Sequence, residues 1–174
     1  KVNFTGTADR VDEFTDENGV IYIRILDYKT GVKDFMKEQL ALGINMQMFF
    51  YLFALTDEKG GRYGGCVPAG ALYIPVKYPK SADDRMADET SAAKCIDDTM
   101  KMQGAVLDSP LIINAMEEDC RGRFIPVTFK KDGTVSAKSS VIDSGTMGQI
   151  KALARKQIED MGRAVYSGDF PASP

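Results

Sequence analysis

The chain has 174 residues, with 44% hydrophobic and 27% charged side chains, a composition ordinary for one globular domain. Its net charge of −3 gives no overall basic field of the kind that marks nucleic-acid binding, although a local cation or a partner can supply positive charge. There is no histidine, so Ser-His, Cys-His and histidine-metal chemistry are excluded within the chain, and any metal must be held by oxygen ligands, which favours Mg²⁺ or Mn²⁺ over Zn²⁺.

Residues Val2 to Phe14 read as an extended stretch, broken at Gly6. Asp16-Glu17-Asn18-Gly19 is a polar turn with a strong hairpin signal, and a second strand runs from Val20 to about Tyr28. That strand is the centre of the reading. Ile21 to Leu26 is almost wholly apolar, and it ends in Asp27, Tyr28 and Lys29 before a Thr30-Gly31 turn. Asp27 and Lys29 are two apart, so on a strand they share a face. Taken alone the pair reads as an exposed ion pair worth about 0–1 kcal/mol. An antiparallel hairpin, however, brings Asp9 near Asp27.

Asp34 to Leu42 predicts a short helix closed by Gly43, and Asn45 is expected to cap a second helix from Met46 to Asp57. Met46, Phe49, Phe50 and Phe53 form its core face, while Gln47 and Tyr51, four apart, are neighbours on one face. Glu58 to Gly70 is glycine-rich loop without a phosphate-cradle pattern. Ala71 to Val76 predicts a third strand, with Pro75 at an edge or strand end. Tyr78 to Asp84 reads as loop and Ala87 to Met102 as a charged helix. Gly104 to Glu118 has no clear periodicity beyond an apolar run after Pro110 that suits a short helix. Phe124 to Phe129 and Thr134 to Lys138 predict a surface hairpin. Ser144 is placed as the cap of a last helix, Met147 to Tyr166, with Ile150, Leu153, Ala154, Ile158, Met161 and Val165 as its apolar stripe and Gly168 as its stop.

Three pieces carry chemistry: Asp9 in Gly6-Thr7-Ala8-Asp9, the Asp27-Tyr28-Lys29 strand end, and Gln47 with Tyr51. Two carboxylates about 4 Å apart repel by roughly 4 kcal/mol at an effective dielectric of 20, and a divalent cation removes that repulsion. Carboxylates, a cation and an ammonium suit metal-assisted hydrolysis of a phosphodiester. Asp12 reads more simply as a partner of Arg10, and Arg10 as either structural or a contact to a DNA backbone. Lys151, Arg155 and Lys156 form a basic patch that reads as a solvated helix face.

GxxD, then Asp27-Tyr28-Lys29-Thr30-Gly31, then QxxxY, in this order, resembles the RecB-family branch of the PD-(D/E)xK nucleases. The segments Gly70 to Val76, Met102 to Leu107, Phe124 to Val127 and Gly168 to Pro174 are similar to the C-terminal nuclease domain of the B subunits of AddAB-type ATP-dependent helicase–deoxyribonucleases. The resemblance covers nearly the whole chain as one RecB-like nuclease domain, residues 1–174. It implies an α/β, restriction-endonuclease-like mixed sheet flanked by helices. It implies Asp9 and Asp27 as metal ligands with the Tyr28 carbonyl as a further one, Lys29 as the catalytic lysine, and Gln47 and Tyr51 as contacts to DNA or braces of the site. The expected cofactor is Mg²⁺ or Mn²⁺, the expected substrate DNA with single-stranded ends, and the expected partner the helicase–nuclease A subunit, in a bacterial cytoplasm and with no membrane.

Two departures from that family shape the expectations. Its members carry a further acid or histidine on a helix ahead of the first strand, whereas this chain opens on Lys1 and runs at once into strand-like sequence, as a piece of a longer protein would. Its B subunits also hold a 4Fe-4S cluster through one cysteine before this region and three after it. Cys66, Cys95 and Cys120 do not fit that spacing, so the fragment is expected to carry no cluster, and without the upstream acid or histidine its metal affinity is expected to be weakened. Two rivals stand beside the nuclease reading: a non-catalytic module that docks on a helicase and guides DNA, and a stand-alone RecB-like exonuclease.

Overall fold

A computed structural model describes residues 3–31, 35–76, 89–118 and 122–168. The readings that fall on Val2, Asp34, Tyr78 to Asp84, Ala87, Cys120 and the residues after Gly168 lie outside the described residues. Five strands form one mixed sheet in the order β1-β2-β3-β4-β5. They are β1 (Arg10–Thr15), β2 (Ile21–Lys29), β3 (Val67–Pro75), β4 (Gln103–Leu107) and β5 (Val141–Ile142). The helices are α1 (Gln47–Asp57), α2 (Glu89–Met100), α3 (Pro110–Met116) and α4 (Ser144–Ser167). This is the α/β arrangement that the sequence predicts.

The β1–β2 hairpin is antiparallel, with Arg10 opposite Leu26 and Thr15 opposite Ile21. Asp16 closes its turn by accepting hydrogen bonds from the backbone N–H groups of Asn18 and Val20, and Gly19 takes the left-handed conformation. β1 is shorter than the extended stretch expected from sequence: Asp9 sits one residue ahead of it.

β2 pairs with β3 in parallel, a connection that requires a crossover, and α1 supplies it. Phe49, Leu52 and Phe53 of α1 pack with Ile23 and Ile25 of β2 and Ala71 of β3, and α4 adds Met147, Ile150 and Ala154 to the same core. On the other face Leu72 and Val106 meet Ile113 of α3 together with Ile125 and Val127. The sheet is therefore covered on both sides.

Several local expectations change. The short helix expected before Gly43 is a 3-10 helix, Lys37–Leu42, starting later than the sequence suggests, and Gly43 ends it in the left-handed conformation as predicted. Asn45 does not cap α1; it takes a left-handed conformation itself and donates its side-chain amide to Gln39 Oε1 at 2.7 Å. Asp143, not Ser144, caps α4, accepting from the Thr146 N–H at 2.9 Å and the Thr146 hydroxyl at 2.6 Å. Gly168 ends that helix as expected, but Met161 and Val165 of its apolar stripe are exposed among the described residues. Residues 124–129 are not a surface strand, since Ile125 and Val127 are fully buried, but the tip of the expected hairpin is present: Phe129 is bridged to Val135, the Lys130 N–H donates to the Thr134 carbonyl at 2.8 Å and the Ser136 N–H to the Thr128 carbonyl at 2.7 Å.

The sequence does not show β4 as a strand, because its Gly-Ala-Val-Leu run is buried throughout and has no alternation. Gly104 makes it possible. Its φ is +130°, and a Cβ there would lie 2.1 Å from the Ala71 carbonyl oxygen and 2.9 Å from Leu72 Cα. Gly104→Ala is therefore expected to destabilise the fold by about 2 kcal/mol or more, since both the conformation and the close strand approach are refused to a side chain. Urea unfolding followed by circular dichroism reads this directly, and an unchanged midpoint would contradict it.

Candidate active site

Ile23 and Ile25 point from β2 into the α1 core, so alternation sends Asp27 and Lys29 to that same face at the strand's end. The Lys29 Nζ stands 2.5 Å from Asp27 Oδ2. That carboxylate oxygen is buried, and the ion pair with the Lys29 ammonium is what meets its charge. A buried anionic oxygen in this state suits a cation ligand.

Asp9 joins the pair through the backbone. Its Oδ2 accepts the Tyr28 N–H at 3.0 Å, which holds an exposed carboxylate against the end of β2. The sequence-predicted Asp9, Asp27, Tyr28 and Lys29 are thus brought together. Among the described residues no group of three or more acidic or cysteine side chains is placed to hold a metal. The oxygen set at hand is two carboxylates and the Tyr28 carbonyl. All are hard donors, which fits Mg²⁺ or Mn²⁺ by chemistry.

Gln47 and Tyr51 are adjacent as predicted, with Gln47 Nε2 donating to the Tyr51 hydroxyl at 3.1 Å. The structure adds the partner that sequence reasoning passed over. The Tyr51 ring lies on Gly6, the glycine of GxxD: a Cβ on Gly6 would sit 2.4 Å from Cε1 and 2.8 Å from the hydroxyl oxygen. A tyrosine in the helix motif and a glycine three residues before Asp9 therefore interlock.

Tyr73 is a second residue that sequence reasoning left as plain strand. It is paired with Asp27 in the β2–β3 register and is buried. Burial and the negative charge of Asp27 push its hydroxyl up to about 12. The signal available in the sequence was a hydroxyl-bearing ring within an otherwise apolar strand.

The opposite face of the hairpin is a structural charge cluster. Arg10 Nε donates to Asp12 Oδ1 at 2.6 Å, and Arg24 donates to Asp12 Oδ2 at 2.9 Å. Asp12 therefore pairs with Arg10 as predicted, and with Arg24 as well. The basic patch on α4 is likewise occupied: Lys151 and Arg155 both pair with Asp57 of α1, and Lys156 with Asp160 of its own helix. A cavity of about 620 Å³ lies elsewhere, between the 3-10 helix and the start of α4, lined by Lys37, Leu40, Ile142 and Thr146. It holds none of the converging carboxylates.

Comparison with known proteins gives the chain's family and its relatives. The family model described as the PD-(D/E)XK nuclease superfamily matches residues 1–174. A protein of Acetivibrio thermocellus, named as the B subunit of an ATP-dependent helicase/deoxyribonuclease, is 31% identical over 180 residues, covering 100% of this chain and 15% of its own length. A protein of the same name from Clostridium botulinum (strain Okra / Type B1) is 32% identical over 99% of this chain and 15% of its own. Another from Exiguobacterium sibiricum is 28% identical over 100% of this chain and 16% of its own. The chain thus spans about 15% of the length of the relatives it matches.

Two outcomes test the geometry. Gly6→Ala should destabilise the fold by about 1–3 kcal/mol through overpacking against Tyr51. The same change in a Tyr51→Leu background should be nearly silent, a coupling of about 0.5–3 kcal/mol in a double-mutant cycle measured by urea unfolding. Additive effects would separate the two motifs. For Asp12, burial pushes the carboxyl up, but the hydrogen bonds and positive charges of Arg10 and Arg24 outweigh it and hold the group below its ordinary 3.8. A folded pKa that is depressed gives stability that is full above the unfolded pKa and is lost as pH falls through the folded one. Asp12→Asn should therefore flatten the loss of stability below about pH 4, read from unfolding curves across that range.

Proposed function

The chain belongs to the PD-(D/E)XK nuclease superfamily, and from that premise we propose that it is a Mg²⁺-dependent deoxyribonuclease domain acting on single-stranded DNA ends during double-strand-break processing. The observation that carries this reading is the meeting of Asp9, Asp27 and Lys29 at one strand end, Asp9 through the Tyr28 N–H and Lys29 through its ion pair with Asp27.

In this reading Asp9, Asp27 and the Tyr28 carbonyl would hold the divalent ion, which supplies Lewis acidity toward a phosphate oxygen and lowers the pKa of a water. Lys29 brings positive charge to the place where charge builds up on the scissile phosphate. The Tyr28 N–H fixes the Asp9 carboxylate, so that the ligand is set before DNA arrives. Gln47 and the Tyr51 hydroxyl form a polar pair on the exposed side of α1, and they supply donors to a DNA backbone or brace the GxxD segment.

The names of the relatives support a setting within a helicase–nuclease, in the place of its B subunit, with a second subunit delivering unwound strands. Bacterial cytoplasm is the compartment that setting requires. No helix of the described residues is long and apolar enough to cross a membrane. The 4Fe-4S cluster expected of the full-length protein is assigned to cysteines other than the three in this chain.

The decisive experiment is cleavage of single-stranded DNA with Mg²⁺ or Mn²⁺ by the full-length protein, beside two variants. Asp27→Ala should lower the rate by about a hundredfold or more and abolish metal-induced thermal stabilisation. Lys29→Ala should lower the rate by about 10²–10³-fold while keeping that stabilisation. Equal cleavage by wild type and Asp27→Ala would favour the non-catalytic module that docks on a helicase.

A further inference from the structure

Tyr73 lies on β3, a central strand of the sheet, hydrogen-bonded to β2 on one side and β4 on the other. The parallel register sets it beside Asp27, and its ring shares the α1 face with Ile25 and Ala71. The Phe35 ring packs against it, centroids 6.4 Å apart and tilted by 52°. The Lys29 Nζ lies 5.9 Å from the Tyr73 ring centroid. That is within the reach of about 6 Å over which an aromatic face attracts a cation.

Lys29 needs such a hold. Its side chain is 41% exposed, it ends a flexible four-carbon stem, and an ion pair at that exposure is a weak restraint. A cation on Asp27 would also draw the carboxylate away from the ammonium. The ring face is unaffected by that competition, and it is set on a buried strand.

We propose that Tyr73 is a positioning residue for Lys29: its ring, packed against Phe35, holds the ammonium beside Asp27 whether or not that carboxylate is shared with a cation. The geometric claim stands on Tyr73, Phe35 and Lys29 alone, and its consequence for cleavage rests on the nuclease reading above. Tyr73→Phe keeps the face and removes the hydroxyl. Tyr73→Leu removes the face.

The test reads position and rate separately in the full-length protein. Reductive ¹³C-methylation labels lysine ammonium groups while keeping their charge, and the Lys29 signal is identified by its loss in Lys29→Arg. In wild type the ring current moves that signal upfield. Tyr73→Phe should keep the displacement and Tyr73→Leu should remove it. In single-turnover cleavage of single-stranded DNA with Mg²⁺, Tyr73→Leu should lower the maximal rate by about tenfold with KM for DNA little changed, and Tyr73→Phe should stay within about threefold. If Tyr73→Leu does not fold by circular dichroism, Phe35→Leu, which removes only the ring packed against Tyr73, should reduce both effects in the same direction. A Lys29 signal that is undisplaced in wild type, or equally displaced in Tyr73→Leu, overturns the proposal. Equal damage in Tyr73→Phe and Tyr73→Leu also overturns it, by assigning the role to the hydroxyl. Absence of cleavage by wild type removes the nuclease reading instead, and the Lys29 signal still decides the positioning.

Discussion

The site depends on the side-chain alternation of β2. Ile23 and Ile25 are locked in the core against Phe49 and Leu52 of α1, and that burial fixes which way Asp27 and Lys29 face two and four residues later. A slip of one residue would send both to the other side of the sheet, into the territory of Leu26 and Arg24, and would turn Arg24 into the α1 core. The β2–β3 pairing carries a register shift between Ile23 and Arg24, beside Pro68, so the irregularity is confined to the start of the pairing. From Arg24 to Lys29 the ladder is continuous, and it is there that Asp27 meets Tyr73. Rigidity is thus concentrated where the carboxylate and the ammonium are held.

The parts legible in the sequence were those whose signal is local. The hairpin could be read from Asp16 to Gly19, because an Asx turn and a left-handed glycine are decided by adjacent residues. The polar pair on α1 could be read because four residues make one helical turn. The same reasoning failed where a residue's environment comes from far along the chain. β4 has no alternation because both of its faces are covered, and Ile125 and Val127 are buried by β4 and α3 although the sequence around Pro126 reads as a surface strand. The cap of α4 moved by one residue because Asp143, with an extended backbone, reaches Thr146 twice.

The candidate site divides in the same way. Asp9, Asp27 and Lys29 could be placed from the ordered motifs and the hairpin. Gly6 and Tyr73 could not be given their neighbours, because each is defined by a contact across the fold: Gly6 with a helix that starts some forty residues later, Tyr73 with a strand that ends as far before it. Charge behaves alike. The lysine and arginines that look available in the sequence are paired with Asp57 and Asp12, so Lys151 and Arg155 link α4 to α1. Ion pairs at such exposure contribute little stability, but they do settle where positive charge is not free to act.

What remains near the strand end is a small, unbalanced charge set. Two carboxylates and one ammonium leave one excess negative charge, in a chain whose total is also negative. A DNA phosphate brought to that place unaided meets repulsion, which is why the reading of Asp9 and Asp27 as catalytic residues requires a cation. One divalent ion turns the excess to a single positive charge, and one phosphodiester then brings the set to neutrality. A monovalent ion would leave the phosphate unbalanced, and a second divalent ion would call for further acidic ligands. The composition without histidine, the buried Asp27 oxygen and the fixed Asp9 carboxylate therefore suit the same partner, a hard divalent cation held by oxygen, with Lys29 as the charge that need not be shared with it.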